Sequence, residues 1–225
     1  MIINLKIYRM TNKINEHEYV DLGLPSGIKW ATCNVGANTS KKYGEYYAWG
    51  EIEPKQKYSS NSLTSGKKIS DIGGNSTYDV ARAKWGGSWR MPTKNEFEEL
   101  EEHCKFKVVY KNFIAKFFKM SSQIKGVRII SKSNGKSIFL PAAGKYVSYY
   151  KKKKPYEYGK NCYYWTSTPD LEEEGNLSAY LFYAAGYSGH NIISSIIAKL
   201  LFWNADHRTI SYTRDTCCQV RPVSD

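Results

Sequence analysis

The side chains that most often carry reactions or bind metals are few in this chain, and their spacing favours neither role. The five cysteines are Cys33, Cys104, Cys162, Cys217 and Cys218. Their number is odd and no Cys-x-x-Cys pair occurs, so neither a zinc ribbon nor a dithiol redox motif is indicated. We therefore expect free thiols, as in a reducing compartment or in a fold that needs no disulfide.

The remaining candidates for catalysis or metal binding are equally sparse. The four histidines are His17, His103, His190 and His207, and they show no metal-ligand spacing. No nucleophile-elbow pattern surrounds a serine, and Gly73-Gly74 lacks the lysine and the spacing of a phosphate-binding loop. We predict no catalytic residue, no metal and no cofactor.

Aromatic side chains are abundant, with 19 tyrosines and 6 tryptophans. Such rings fill cores, and they also form rigid contact surfaces at binding sites. Five tryptophans are predicted to lie in the core: Trp30, Trp49, Trp85, Trp89 and Trp165.

The bulk composition is that of a globular protein with a surplus of positive charge. The chain has 225 residues, 41 % hydrophobic and 24 % charged, and a net charge of +12. Such a charge suits nucleic acid, anionic lipid or acidic polysaccharide. The lysines are interpreted as scattered along the chain, and no basic helix or aromatic-basic RNA motif accompanies them. We therefore predict a lysine-rich soluble surface and no nucleic-acid partner. The run 151–154 is interpreted as a solvated loop.

No segment indicates export or membrane insertion. Residues 1–19 lack the apolar stretch of a signal peptide, and no run approaches the length of a transmembrane span. The localisation and the oligomeric state stay open.

The most densely specified stretch is 84–100, KWGGSWRMPTKNEFEEL. Thr93 and Glu96 have the spacing of a helix capping box. Phe97, Leu100 and Cys104 follow at i, i+3 and i+7 and form one apolar helical face. The pattern predicts an amphipathic helix that starts after Thr93.

The other segments favour short strands and long loops. Two hairpins are predicted, one pairing 19–22 with 28–32 and one pairing 126–131 with 136–140 around Asn134-Gly135. Further strands are predicted at 43–50, 162–167, 179–183 and 219–223, strands with a loop at 106–118, and an interrupted strand at 191–203. Loops are predicted at 34–42, 51–77 and 146–160, and a short helix at 78–84, capped by Thr77 or Asp79. We expect an N-terminal arm, 1–16, and one α+β domain, 17–225, with mostly antiparallel strands.

Several of these blocks resemble a known family. The segments YVDLGLPSGIKWATCNVGA, YGEYYAWGE, WGGSWRMPTKNEFEEL, SKSNGKSIFLPAAG, YYWTSTP and VRPV are similar, in order, to the Fibrobacter succinogenes major paralogous domain, which abounds in gut Bacteroidetes. In order, these blocks span roughly Tyr19 to Val223, nearly the whole chain. The block around Trp89 also resembles the signature of the formylglycine-generating-enzyme superfamily. The resemblance implies a C-type-lectin-like fold with a ligand surface built from loops and C-terminal strands.

A narrower resemblance is to the variable proteins of diversity-generating retroelements, which use the same fold. From Ala179 to Cys218 the chain departs from the family pattern, where those proteins carry their hypermutated segment. Ordinary loop divergence also accounts for the departure. The adjacent Cys217-Cys218 does not match the separated cysteine pair of the formylglycine-generating enzymes. Trp203–Asp206 does not match the Trp-Asn-Asp calcium motif of lectins.

These observations lead to a non-catalytic domain that binds a protein or a glycan through its divergent C-terminal segment. The alternatives are an enzyme on a formylglycine-generating-type scaffold and a structural surface-assembly module. The predicted contact residues are Tyr180, Tyr183, Tyr187, His190, Asn191, Trp203, Asn204, Asp206, His207, Arg208 and Tyr212. This mix of rigid rings and adaptable hydrogen-bonding groups is typical of recognition surfaces.

Overall fold

The structure, a computed structural model, describes residues 12–55, 62–117, 123–150, 153–185 and 205–225. The described strands are β1 Lys13–Ile14, β2 His17–Asp21, β3 Lys29–Ala31, β4 Cys104–Tyr110, β5 Ile124–Ser131, β6 Ser137–Pro141, β7 Asn161–Pro169, β8 Ser178–Ala185, β9 Asp206–Thr213 and β10 Val223–Ser224. The described helices are α1 Val80–Trp85, α2 Lys94–His103 and α3 Phe113–Phe117, with a 3₁₀ turn at Glu174–Asn176. The predicted α+β class is confirmed. None of these helices has the length and the apolar character needed to cross a bilayer.

The described strands form three antiparallel sheets. Their orders are β1-β2-β3-β10, β4-β5-β6 and β7-β8-β9. In the first sheet Val223 pairs with Trp30, so the last strand closes against the first long hairpin. Lys13–Ile14, near the end of the predicted arm, also pairs with β2.

Helix α2 begins where the sequence predicts. The Thr93 hydroxyl accepts a hydrogen bond from the Glu96 N–H at 3.2 Å, and the Glu96 carboxylate accepts one from the Thr93 N–H at 2.7 Å. This reciprocal pair is the predicted capping box. Phe97 and Leu100 are fully buried, so the helix packs with its predicted apolar face.

Helix α1 is also confirmed, with Asp79 as its cap. One oxygen of the Asp79 carboxylate accepts from the N–H groups of Ala81 and Arg82, and the other accepts from Gly74 and Met91. A single buried side chain therefore ties the helix start to the loop before it and to the strand-like segment after it.

Both predicted hairpins form. Strands β2 and β3 pair through Val20 and Trp30, and β5 pairs with β6 through Ile130 and Ser137 around the Asn-Gly turn. Gly135 has a φ of 69°, the left-handed conformation that this turn requires and that glycine adopts without strain.

Three other strand predictions are corrected by the structure. Segment 43–50 forms only one isolated bridge, between Tyr47 and Cys218, because Gly44 and Gly50, both with φ of 73°, turn the backbone at its two ends. Segment 219–223 is not a strand until Val223, after Pro222. In the segment predicted at 106–118 the strand begins at Cys104 and ends at Tyr110, and Phe113–Phe117 forms α3. The predicted interrupted strand 191–203 lies outside the described residues.

The buried hydrophobic residues in the described part of the chain form two clusters, on opposite faces of the β7-β8-β9 sheet. One contains Trp30, Phe97 and Phe182, and the other contains Trp49, Trp89 and Trp165. The five tryptophans predicted to be buried are all at most 7 % exposed.

Two buried arginines join the loops to this core. The Arg221 guanidinium donates to the carbonyls of Ala31, Thr32 and Phe139 and to Asn34 Oδ1, at 2.8–3.0 Å. Because its partners are neutral, burial lowers the pKa of Arg221.

Arg214 plays the corresponding part on the other side of the domain. It donates to the carbonyls of Thr64, Lys67 and Ser178 at 2.8–3.0 Å, and its guanidinium lies 4.4 Å from the centre of the Trp49 ring. Part of the long loop predicted at 51–77 is therefore fixed to the core.

Candidate functional site

The β7-β8-β9 sheet brings part of the predicted contact set together. Its register aligns Tyr163, Tyr183 and Arg208 across the three strands. Because successive strand residues point to opposite faces, Tyr212 shares the face of Arg208, whereas Tyr180 and His207 lie on the other face. The predicted site is thus divided between two surfaces.

One face carries a group of aromatic rings that we call the tyrosine cluster: Tyr149, Tyr156, Tyr163, Tyr183 and Tyr212. The rings of Tyr163 and Tyr183 are 5.4 Å apart, and those of Tyr149 and Tyr156 are 5.5 Å apart. Tyr212 lies next to Tyr149. Tyr149 is 66 % exposed, so the cluster reaches from the sheet to solvent.

Lys145 holds the cluster together from inside. Its Nζ lies 3.9 Å from the ring centre of Tyr163 and 3.7 Å from that of Tyr212, distances at which a cation is attracted by the ring face. The side chain is buried, and burial lowers the pKa of Lys145. The two rings therefore supply part of the electrostatic stabilisation that water gives an exposed lysine.

Charged groups surround the cluster at its rim. The Tyr163 hydroxyl donates to the Glu157 carboxylate, and the Arg208 guanidinium lies 5.8 Å from the centre of the Tyr183 ring. Asp206 and Arg208 are exposed at the start of β9. Burial, followed by the nearby Asp206 charge, raises the pKa of Tyr183 to about 12, so its hydroxyl stays protonated and available as a donor at neutral pH.

Tyr180 and His207 contact the scaffold instead. Lys94 Nζ, from α2, lies 4.3 Å from the centre of the Tyr180 ring. The His207 ring stacks on Phe106 at 3.8 Å, and its Nδ1 is 3.9 Å from a Glu101 oxygen. Both side chains therefore help to pack the sheet on α2 and β4. The other predicted residues, Tyr187, His190, Asn191, Trp203 and Asn204, lie outside the described residues.

The other members of the tyrosine cluster are not predicted from the sequence. Lys145, Tyr149 and Tyr156 fall in or beside the predicted loop 146–160, which folds back on itself through a bridge between Lys145 and Tyr156. The only signal was the repeated tyrosine in YVSYYKKKKPYEY. Tyr163 was assigned to a strand without a role.

All five cysteines are free thiols, as predicted. Cys217 and Cys218 are fully buried, and burial raises the pKa of the Cys217 thiol to about 12. A thiol with this pKa is protonated at neutral pH and is a poor nucleophile.

Two grooves on the described surface lie elsewhere. One, of about 410 Å³, runs between β2 and β6 and is lined by Glu18, Arg128 and Phe139. The other, of about 770 Å³, is a shallow depression beside His17, whose ring stacks on Trp85 at 3.7 Å. Neither is lined by a cysteine.

Comparisons with family models, with curated proteins and with solved structures each gave no significant match to this chain. The class of protein is therefore inferred from the fold and from the chemistry of the tyrosine cluster.

Proposed function

We propose that this protein is a non-catalytic binding domain that recognises a protein or a glycan through the tyrosine cluster. The residue blocks that resemble the Fibrobacter succinogenes major paralogous domain, together with the α+β content and the loop-rich architecture, support membership of that family and a C-type-lectin-like fold. The tyrosine cluster lies on C-terminal strands and an adjoining loop. The resemblance implies a ligand surface in the same part of the fold.

The observation that carries the proposal is the composition of the cluster. Tyrosines have large rings and only two side-chain torsions, so they offer contact area at a low cost in conformational entropy. Their faces stack on sugar rings or on apolar side chains, while their hydroxyls donate hydrogen bonds. Glu157, Asp206 and Arg208 add charged hydrogen-bonding groups at the rim.

The state of the cysteines supports a binding role over thiol chemistry. Covalent catalysis at cysteine requires an activated thiolate within reach of the substrate. Cys217 and Cys218 are buried against the core and held protonated, and the groove residues given above do not include them.

We further infer that the divergent segment is the part of the domain that varies between relatives in order to change the ligand. Tyr183, Arg208 and Tyr212 belong both to this segment and to the site. A near-copy of the coding segment that differs at adenines, beside a reverse transcriptase gene, is the expected genomic arrangement. If the gene has neither neighbour, retroelement diversification is ruled out.

The binding proposal is tested on combined glycan and protein arrays with the wild-type chain, Tyr183→Ala and Tyr180→Ala. Both tyrosines are half-buried on β8 but face opposite sides of the sheet, so each controls for the other. Loss of a central aromatic anchor costs about 2 kcal/mol or more, so Tyr183→Ala is expected to weaken binding at least about thirty-fold, while Tyr180→Ala changes it little. Equal losses in both variants, or none in Tyr183→Ala, would remove the tyrosine cluster as the site.

A further inference from the structure

The positive charge of this protein is concentrated in one segment and is not dispersed along the chain. Residues 104–156 contain 14 of the 33 lysines and arginines and none of the 21 acidic residues. The rest of the chain, with 19 basic and 21 acidic side chains, is slightly negative. A field of this kind attracts an extended anionic surface.

The fold places three basic residues of this segment on one face of the β4-β5-β6 sheet. Lys105 and Lys107 alternate with the buried Cys104 and Phe106, so the two lysines point away from the core. Arg128 is exposed on β5 and also points outward. The outer face of the sheet is therefore basic, although Glu18 lines the groove beside Arg128 at the β6 edge.

Two of these basic residues face each other directly. In the antiparallel register Lys107 is the partner of Arg128. Like charges in this position destabilise a strand pair, and the described residues form no ion pair with either side chain. An anionic partner that covers the sheet would remove this repulsion.

The hairpin tip beside this face exposes apolar side chains. Phe113 is 77 % and Ile114 is 63 % exposed, both on α3 between β4 and β5. Lys111 and Lys116 are exposed on either side of them. Apolar residues flanked by lysines suit the boundary between lipid headgroups and acyl chains, whereas a polysaccharide or a nucleic-acid backbone offers them little.

We propose that the outer face of the β4-β5-β6 sheet docks on the surface of an anionic lipid bilayer, with Phe113 and Ile114 entering the interface. The association is peripheral and uses no spanning segment. It is independent of the tyrosine cluster, so a domain held in this way keeps a second surface for its ligand.

The proposal is tested by co-sedimentation with vesicles of phosphatidylcholine, with and without phosphatidylserine. We expect binding only when phosphatidylserine is present, and weaker binding at high salt. Each basic side chain near an anionic membrane contributes about five-fold to partitioning. The triple variant Lys105→Gln, Lys107→Gln, Arg128→Gln is therefore expected to bind about a hundred-fold more weakly.

The matched control removes three exposed lysines outside the segment: Lys41→Gln, Lys42→Gln and Lys68→Gln. It has the same net charge as the first variant and is expected to bind like the wild type. Phe113→Ser with Ile114→Ser is expected to lose about ten-fold, with the loss persisting at high salt. Thermal unfolding of each variant confirms that it is folded.

Three results would overturn the proposal. The first is an equal loss in both charge triples, which would mean that net charge alone attracts the vesicles. The second is unchanged binding after both apolar substitutions. The third is binding to heparin or duplex DNA, but not to phosphatidylserine vesicles, that depends on Lys105, Lys107 and Arg128. Tyr183→Ala is expected to leave vesicle binding unchanged, so failure of this proposal is distinguishable from failure of the ligand-binding one.

Discussion

Replacing Arg221 with methionine is expected to destabilise the fold strongly, although no carboxylate pairs with this arginine. The substitution leaves four acceptors without their donor: the carbonyls of Ala31, Thr32 and Phe139, and Asn34 Oδ1. Each buried acceptor left unsatisfied costs about 1–3 kcal/mol. Methionine fills part of the space and removes the cost of burying a cation, which offsets some of the loss. We expect the free energy of unfolding to fall by roughly 4 kcal/mol, a large part of the 5–15 kcal/mol typical of a domain.

Urea denaturation followed by tryptophan fluorescence measures this change. With a slope of about 2.5 kcal/mol per M, the midpoint should fall by about 1.5 M. Arg208→Met is the matched control, because Arg208 is exposed and surface substitutions usually change stability by no more than about 0.5 kcal/mol. If Arg221→Met is as stable as the wild type, the cost of desolvating the guanidinium equals the benefit of its hydrogen bonds, and the reasoning is wrong.

Two further predictions concern groups whose titration or reactivity depends on burial. Burial raises the folded-state pKa of Tyr46 and Tyr47 above the unfolded value of about 10. The stabilisation that these two tyrosines give is therefore fully present below pH 10 and is lost as the pH rises further. Absorbance at 295 nm should show their phenols ionising only as the fold is lost. Ionisation of these phenols while the circular dichroism is still native would contradict the prediction. Among the thiols only Cys33 is partly exposed, so one thiol should react with Ellman's reagent in the native state and five in urea. Cys33→Ser should abolish the native reaction, and persistence of that reaction would show that a buried thiol is accessible.

Local features of the fold were predictable because their signals are local. The capping box at Thr93 and the Asn-Gly turn at Asn134 each specify a backbone conformation within a few residues, and both form as predicted. The strand predicted at 43–50 was wrong. Its aromatic residues are typical of a strand, but the glycines at its ends turn the backbone. Tyr47 pairs with Cys218 and the Trp49 ring lies against Arg214, and the local sequence does not reveal these distant contacts.

The candidate site was predictable only in part for a similar reason. Tyr183, Arg208 and Tyr212 were identified because they lie in one divergent segment. Lys145 and Tyr149 join them through a loop that folds back beside β7, and this contact has no local signature. Tyr180 and His207 were predicted to be contact residues, but the alternation of β8 and β9 places them on the opposite face of the sheet.

The closure of the first sheet by its last strand has a consequence for how the protein is made. Arg221 and Ala31, which share a hydrogen bond, are 190 positions apart. During synthesis the hairpin β2-β3 leaves the ribosome long before β10 has been made. Until then the edge of β3 is unpaired, and the carbonyls of Ala31 and Thr32 lack the hydrogen bonds that Arg221 donates. Open strand edges pair readily with other chains. The nascent protein can therefore mispair at this edge until β10 has emerged, and a chaperone that covers the edge of β3 would be expected to increase its yield.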